Sequence, residues 1–148
     1  MTNDDLLALL LDERAISRHL VRFSRCIDTK NFDEYAELYA LDGELVTPWG
    51  AHRGRAGLAD HVRGDLGDYL ALHHVSAGHE ITVDGDRATA RATLLATHVT
   101  NDTGTAFWTV GGHYDMTLVR DGDGWLLTRV EIKPAWRFDT PGAAGDQT

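Results

Sequence analysis

The side chains best suited to moving protons here are Asp28 and four histidines, His73, His74, His98 and His113. An unperturbed imidazole titrates near pH 6.5, so it can take a proton and return it at neutrality. A carboxylate hydrogen-bonded to one ring nitrogen fixes the tautomer and balances the charge of the protonated ring. Such a set suits chemistry next to a carbonyl. One group removes the alpha proton, and another assists departure of a hydroxyl or returns a proton to carbon. Dehydration, double-bond isomerisation and aldol-type cyclisation all draw on it. Metal binding is the first rival use of these residues, but no His-x-Glu-x-His or His-x₃-His spacing lies on one element, and His73 and His74 would diverge on a strand. Neither a metal nor a cofactor is expected. Cys26 has no assigned base and reads as a core thiol, and Gly54-Arg55-Ala56-Gly57 lacks the lysine of a phosphate loop.

The elements that must position these groups are legible in outline. Leu9, Ile16, Leu20, Phe23 and Ile27 recur at spacings of seven, four, three and four, one face of a helix. Asn3, Asp4 and Asp5 are its cap candidates. Asn31 with Glu34 resembles a capping box for a second helix, whose apolar side is Tyr35, Leu38 and Tyr39. A short strand, 43–47, stops at Pro48-Trp49-Gly50, and an irregular third helix covers 57–69. Strands follow at about 72–83, 87–100, 105–120 and 125–136, separated by turns at Asp84-Gly85-Asp86, Asn101-Asp102-Thr103-Gly104 and Asp121-Gly122-Asp123-Gly124. Helices followed by a meander of long antiparallel strands give an α+β layout, a curved sheet wrapped around about three helices. Long strands need bulges to curve, and Ser76-Ala77-Gly78 and Gly111-Gly112 are the expected places.

Alternation along the strands sorts the candidates. Ala88, Ala90, Ala92, Leu94, Ala96 and His98 share a face, so His98 ends a row of small residues that leaves room for a ligand. Trp108, Val110, Gly112, Tyr114 and Met116 share the apolar face of the next strand, with His113 on the other. Plain parity from Ile81 and Val83 turns His73 inward, whereas a bulge at Ser76-Ala77-Gly78 turns His74 inward; periodicity leaves both open. Asp28 stands at the C-terminal end of the first helix, where the macrodipole disfavours an anion. It lies one residue beyond Ile27, which places it at the lip of any pocket.

The chain has 148 residues, the size of one domain, read as 1–138 with a loose tail over 139–148. Its net charge of −9 argues against nucleic acid and anionic membranes. A single cysteine excludes an intrachain disulfide, and the acidic start at Asn3-Asp4-Asp5 differs from a signal peptide, so a cytoplasmic location is expected.

Four stretches together carry a likeness to a known family: Arg25 to Asp33; His73-His74-Val75-Ser76 with Val83-Asp84-Gly85-Asp86; Ala96-Thr97-His98; and Gly124-Trp125 with Ile132 to Phe138. Over about 12–138 the chain resembles the nuclear transport factor two-like superfamily, in its SnoaL-like and scytalone dehydratase-like branch. The resemblance implies a cone-shaped α+β barrel and a cofactor-independent lyase or isomerase. Its catalytic residues would be Asp28, His74 and His98, with Asp28 paired to His98 and His74 acting as acid or base. It implies a small hydrophobic carbonyl substrate of polyketide, steroid or terpenoid type, and a homodimer or homotrimer. Two tyrosines that bind the substrate carbonyl in scytalone dehydratase are replaced here by Ile27 and by Pro48-Trp49. Other donors must serve, and Tyr35, Tyr39, Tyr114 and Trp49 are the candidates, with His73 and Trp108 as further substrate contacts. A non-catalytic binding or assembly module of the same fold is the alternative. A carboxylate touching an inward histidine inside an apolar pocket would discriminate between the two.

Overall fold

A computed structural model describes residues 1–143. The order is α1 (Asn3–Asp28), α2 (Phe32–Glu37), β1 (Tyr39–Thr47), β2 (Gly50–Arg53), α3 (Leu58–Leu66), β3 (Ala71–Asp84), β4 (Arg87–Val99), β5 (Phe107–Asp121) and β6 (Gly124–Asp139). The six strands form one curved, unclosed sheet in the order β2-β1-β6-β5-β4-β3, with the helices on its inner face. The α+β reading therefore holds. The sheet is not wholly antiparallel, however, because β1 runs parallel to β6, with Leu45 opposite Val130.

Helix α1 forms for the reason its spacing gave. Ile16, Leu20, Phe23 and Ile27 are all buried against the sheet, each worth ~1.5–3 kcal/mol. Its cap is Thr2, not the asparagine or aspartates after it: the Thr2 hydroxyl accepts from the Asp5 amide at 3.1 Å, and the Asp5 carboxylate accepts from the Thr2 amide at 2.8 Å. Asn31 caps α2 as expected, its side-chain oxygen accepting from the Glu34 amide at 3.3 Å. Tyr39, assigned to helix 2 from the sequence, instead opens β1, which is longer than 43–47, and Pro48-Trp49 is the turn of a β1–β2 hairpin rather than a stop.

Bulges decide which side chains face inward. The β3–β4 register shifts between Ala77 and Glu80, with Gly78 at φ 59°, as the Ser76-Ala77-Gly78 signal implied. A second shift falls at Gly111/Gly112, where Gly112 opposes Pro134 and Gly111 opposes Trp136, so Ala135 is the extra residue. A third, at Thr117/Leu118, had no sequence signal; it lets both Leu127 and Val130 of β6 face the core. Asp139 and Thr140, read from the sequence as the start of the tail, instead complete this edge. Asp139 opposes Trp108 in β6, and the Thr140 hydroxyl accepts from the Phe107 amide at 2.8 Å. Residues 144–148 lie outside the described residues.

The inner face of β4 carries Ala88, Ala90, Ala92, Leu94, Ala96 and His98, all buried. Small side chains on a sheet this curved leave a hollow beneath α1 and α3, floored by larger residues of β5 and β6. The outer face carries exposed Leu95, Trp136 and Phe138 together with a charged region. Asp115 bridges Arg91 and Lys133 there, and these two cations hold its carboxyl down at about 2.

Candidate active site

The hollow is a cavity of about 460 Å³ with mostly apolar walls, a size that suits a small organic molecule. Its chemistry begins with Asp28, the last residue of α1. An anion there opposes the helix dipole, and the compensation comes from β3. The backbone N–H of His74 reaches both carboxylate oxygens, at 2.9 and 3.0 Å, and the His74 Nδ1 lies 2.9 Å from Oδ1. An ionised carboxylate only accepts, so Nδ1 carries the hydrogen, and in the neutral ring Nε2, on the far edge, is the one with the lone pair. His74 lines the cavity, while Asp28 stands behind it and does not. Their side chains are 7% and 26% exposed.

Two expectations are corrected by this arrangement. Asp28 pairs with His74, not with His98, because β3 is the strand that packs along the end of α1. His73 is no substrate contact: it lies exposed on the outer face, opposite Thr97, since the bulge at Gly78 reverses the parity counted from Ile81 and Val83.

His98 is buried in the cavity wall at the position that β4 alternation gave. Its ring stacks on Trp108, centroids 3.6 Å apart and planes within 6°, and meets His74 edge-on at 5.6 Å. Burial chiefly, with His74 and Arg137 nearby adding repulsion, depresses its pKa to about 4. Its Nδ1 has no hydrogen-bond partner among the described residues. At neutral pH His98 is therefore an uncharged hydrogen-bonding group, and the carboxylate-linked His74 is the group equipped to carry a proton.

Of the proposed substrate contacts, Trp108, Tyr35 and Tyr114 line the cavity, and Trp49 stands at its mouth, 74% exposed. Tyr39 does not line it. This residue is fully buried behind Tyr35, with the two hydroxyls 2.7 Å apart, and serves as structural support. Burial raises the pKa of Tyr35, Tyr39 and Tyr114, so all three stay protonated.

Sequence reasoning missed Tyr69 and Arg137. Both line the cavity. Tyr69 lies in the turn after α3, within the stretch read as helix. Arg137 would point outward by simple alternation from Pro134; the bulge at Ala135 brings it inward, opposite Val110, and sends Trp136 to the outer face over Gly111. The guanidinium lies 4.1 Å from the Trp108 ring centroid and is paired with Asp139 through Nε at 2.7 Å and Nη2 at 3.0 Å. The glycine pair at 111 and 112 was the only sequence signal for this reversal.

Residues 8–131 match the SnoaL-like domain. The chain belongs to that family. An uncharacterised protein of Mycobacterium tuberculosis is 28% identical over 129 residues, covering 85% of this chain and 88% of its relative. The solved structure of a candidate scytalone dehydratase from Novosphingobium aromaticivorans superimposes with a TM-score of 0.79 at 24% identity, covering 95% of this chain and 92% of the other. A hexachlorocyclohexane dehydrochlorinase from Novosphingobium barchaimii gives a TM-score of 0.75 at 14% identity, covering 95% and 96%. At such identities these two likenesses establish the fold. No helix among the described residues is long and apolar enough to cross a membrane.

Proposed function

We propose that the SnoaL-like chain is a cofactor-independent lyase or isomerase that removes a proton alpha to the carbonyl of a small hydrophobic substrate. The observation that carries this reading is the Asp28–His74 pair, whose imidazole faces an apolar cavity with its Nδ1 committed to the carboxylate at 2.9 Å. A non-catalytic binder has no need of a partly buried carboxylate held by both the backbone N–H and the ring Nδ1 of a cavity-lining histidine.

In this mechanism His74 Nε2 takes the alpha proton and Asp28 balances the charge the ring acquires. Two outcomes are then open to the enolate. Loss of a beta-hydroxyl, protonated from the His74 imidazolium, yields water and an unsaturated carbonyl. Return of the proton to a different carbon yields an isomer. Neutral His98, 5.6 Å from His74 between ring centroids, orients the substrate or the leaving hydroxyl by a hydrogen bond.

The test uses 2-tetralone, a compact hydrophobic ketone, as the probe. Exchange of its alpha protons in D₂O, followed by NMR, should run faster with protein than in buffer. Asp28→Asn and His74→Gln should each lower the protein-dependent rate by ~10²–10⁴-fold, the span of general acid–base catalysis. Equal exchange in wild type and both folded variants would refute the role of the pair.

A further inference from the structure

We infer that the Tyr69 hydroxyl is the hydrogen-bond donor that polarises the substrate carbonyl, and that Arg137 beside it favours the negative charge which develops on that oxygen. The inference rests on the proton-abstraction reading above. It supplies what that reading lacks, since a base alone leaves the enolate oxygen without a partner.

Three tyrosines line the cavity, Tyr35, Tyr69 and Tyr114, and their neighbours separate them. Tyr114 feels the Asp28 carboxylate, whose negative charge works against ionisation of its hydroxyl. An oxyanion forming at Tyr114 would meet the same repulsion. The Tyr35 hydroxyl is already engaged with Tyr39 at 2.7 Å, in a fully buried pair where burial opposes negative charge on either oxygen. Tyr69 has different neighbours: its oxygen meets the Trp108 Nε1–H, and the Arg137 guanidinium lies 4.1 Å from the centroid of that same indole.

The hydrogen-bond geometry also singles out Tyr69. Its oxygen accepts from the Trp108 Nε1–H at 3.2 Å. That bond occupies a lone pair and leaves the O–H free to donate, as a carbonyl acceptor requires. The Tyr69 ring meets His98 edge-on at 5.1 Å, and His98 in turn meets His74 at 5.6 Å, so the donor and the base flank one patch of wall. The donor is also tethered. Leu70 N–H bonds to the Val99 carbonyl at 3.0 Å, and Lys30 Nζ donates to the carbonyls of Gly67 and Tyr69. Lys30 follows Asp28 by two residues and holds a left-handed φ of 57°, an uncommon conformation for a residue with a side chain. One loop thus anchors both the carboxylate behind the base and the segment carrying the donor.

Arg137 narrows the ligand class. Asp139 already engages its Nε and one terminal nitrogen, so the net field it offers suits a partial charge growing on a ketone or enone oxygen better than a full carboxylate.

The probe for this is 2-naphthol, whose phenolate mimics an enolate and whose binding needs no base. Wild-type protein should bind naphtholate about tenfold more tightly than naphthol, a magnitude within reach of one well-placed donor, seen as naphtholate absorbance at lower pH than in free solution. Tyr69→Phe should bring the two forms to near parity, and Arg137→Met should reduce the preference. Trp108→Phe keeps an aromatic ring but removes the orienting N–H, and should give an intermediate loss. Melting curves check that each variant is folded. The inference is overturned if wild type shows no saturable binding or no preference for naphtholate, or if Tyr69→Phe retains the preference. Loss of tetralone exchange with an intact naphtholate preference would instead remove the base and leave Tyr69 standing.

Discussion

Acidification should destabilise this fold through His98 in a measurable and separable way. Burial holds its folded-state pKa at about 4, against an ordinary value of 6.5. The sign follows from proton binding. Between those two values the unfolded chain binds a proton at this position and the folded chain does not, so stability rises with pH across the window. The contribution is present in full above pH 6.5 and is lost as the pH falls toward 4. A displacement of this size corresponds to about 3 kcal/mol, at ~1.4 kcal/mol per unit. The residue is 4% exposed, so solvent screening takes little from that figure. The assay is urea unfolding at pH 7, 6, 5 and 4 for wild type and His98→Phe. Phenylalanine keeps a flat ring against Trp108 but cannot titrate. His19 and His79, also lowered by burial, contribute to both proteins and cancel in the difference. Wild type should lose about 3 kcal/mol more than His98→Phe between pH 7 and pH 4. Parallel pH profiles would refute both the neutrality of His98 and the division of labour between the two histidines.

Further outcomes follow from the same geometry. Long-range ¹H–¹⁵N spectra of the neutral His74 ring should show the hydrogen on Nδ1 and a free Nε2, and the opposite tautomer would contradict the Asp28 pairing. Gly112→Ala should cost ~1–3 kcal/mol in urea unfolding, as overpacking does, because the added carbon would lie 2.1 Å from the Lys133 carbonyl oxygen and 2.9 Å from Pro134 Cα, both backbone atoms. A negligible loss would mean that the β5–β6 bulge relaxes freely.

Local rules settled a good part of this protein. The spacing from Ile16 to Ile27 specified a helix and its buried face, Asn31 with Glu34 specified the next helix start, and strict alternation in β4 placed His98 inside. These features depend on residues within one or two turns, or along a single strand, so the sequence carries them directly. The four long strands and the bulges at Gly78 and Gly111-Gly112 belong to the same class. The SnoaL-like resemblance added Asp28 and His74 as partners in chemistry but joined the carboxylate to the wrong histidine.

Only tertiary structure decided what faces what across elements. A bulge shifts parity by one residue, and its presence between the point counted from and the candidate selects His74 over His73 and Arg137 over Trp136 for the cavity. Alternation cannot supply that, because it counts from an assumed register. The parallel placement of β6 beside β1, the demotion of Tyr39 to a support behind Tyr35, and the capture of Asp28 by the β3 amide all join residues far apart in the chain. Composition and periodicity encode which residues are buried. The partner each one meets depends on how the strands curve over α1, and that is fixed only when the sheet packs.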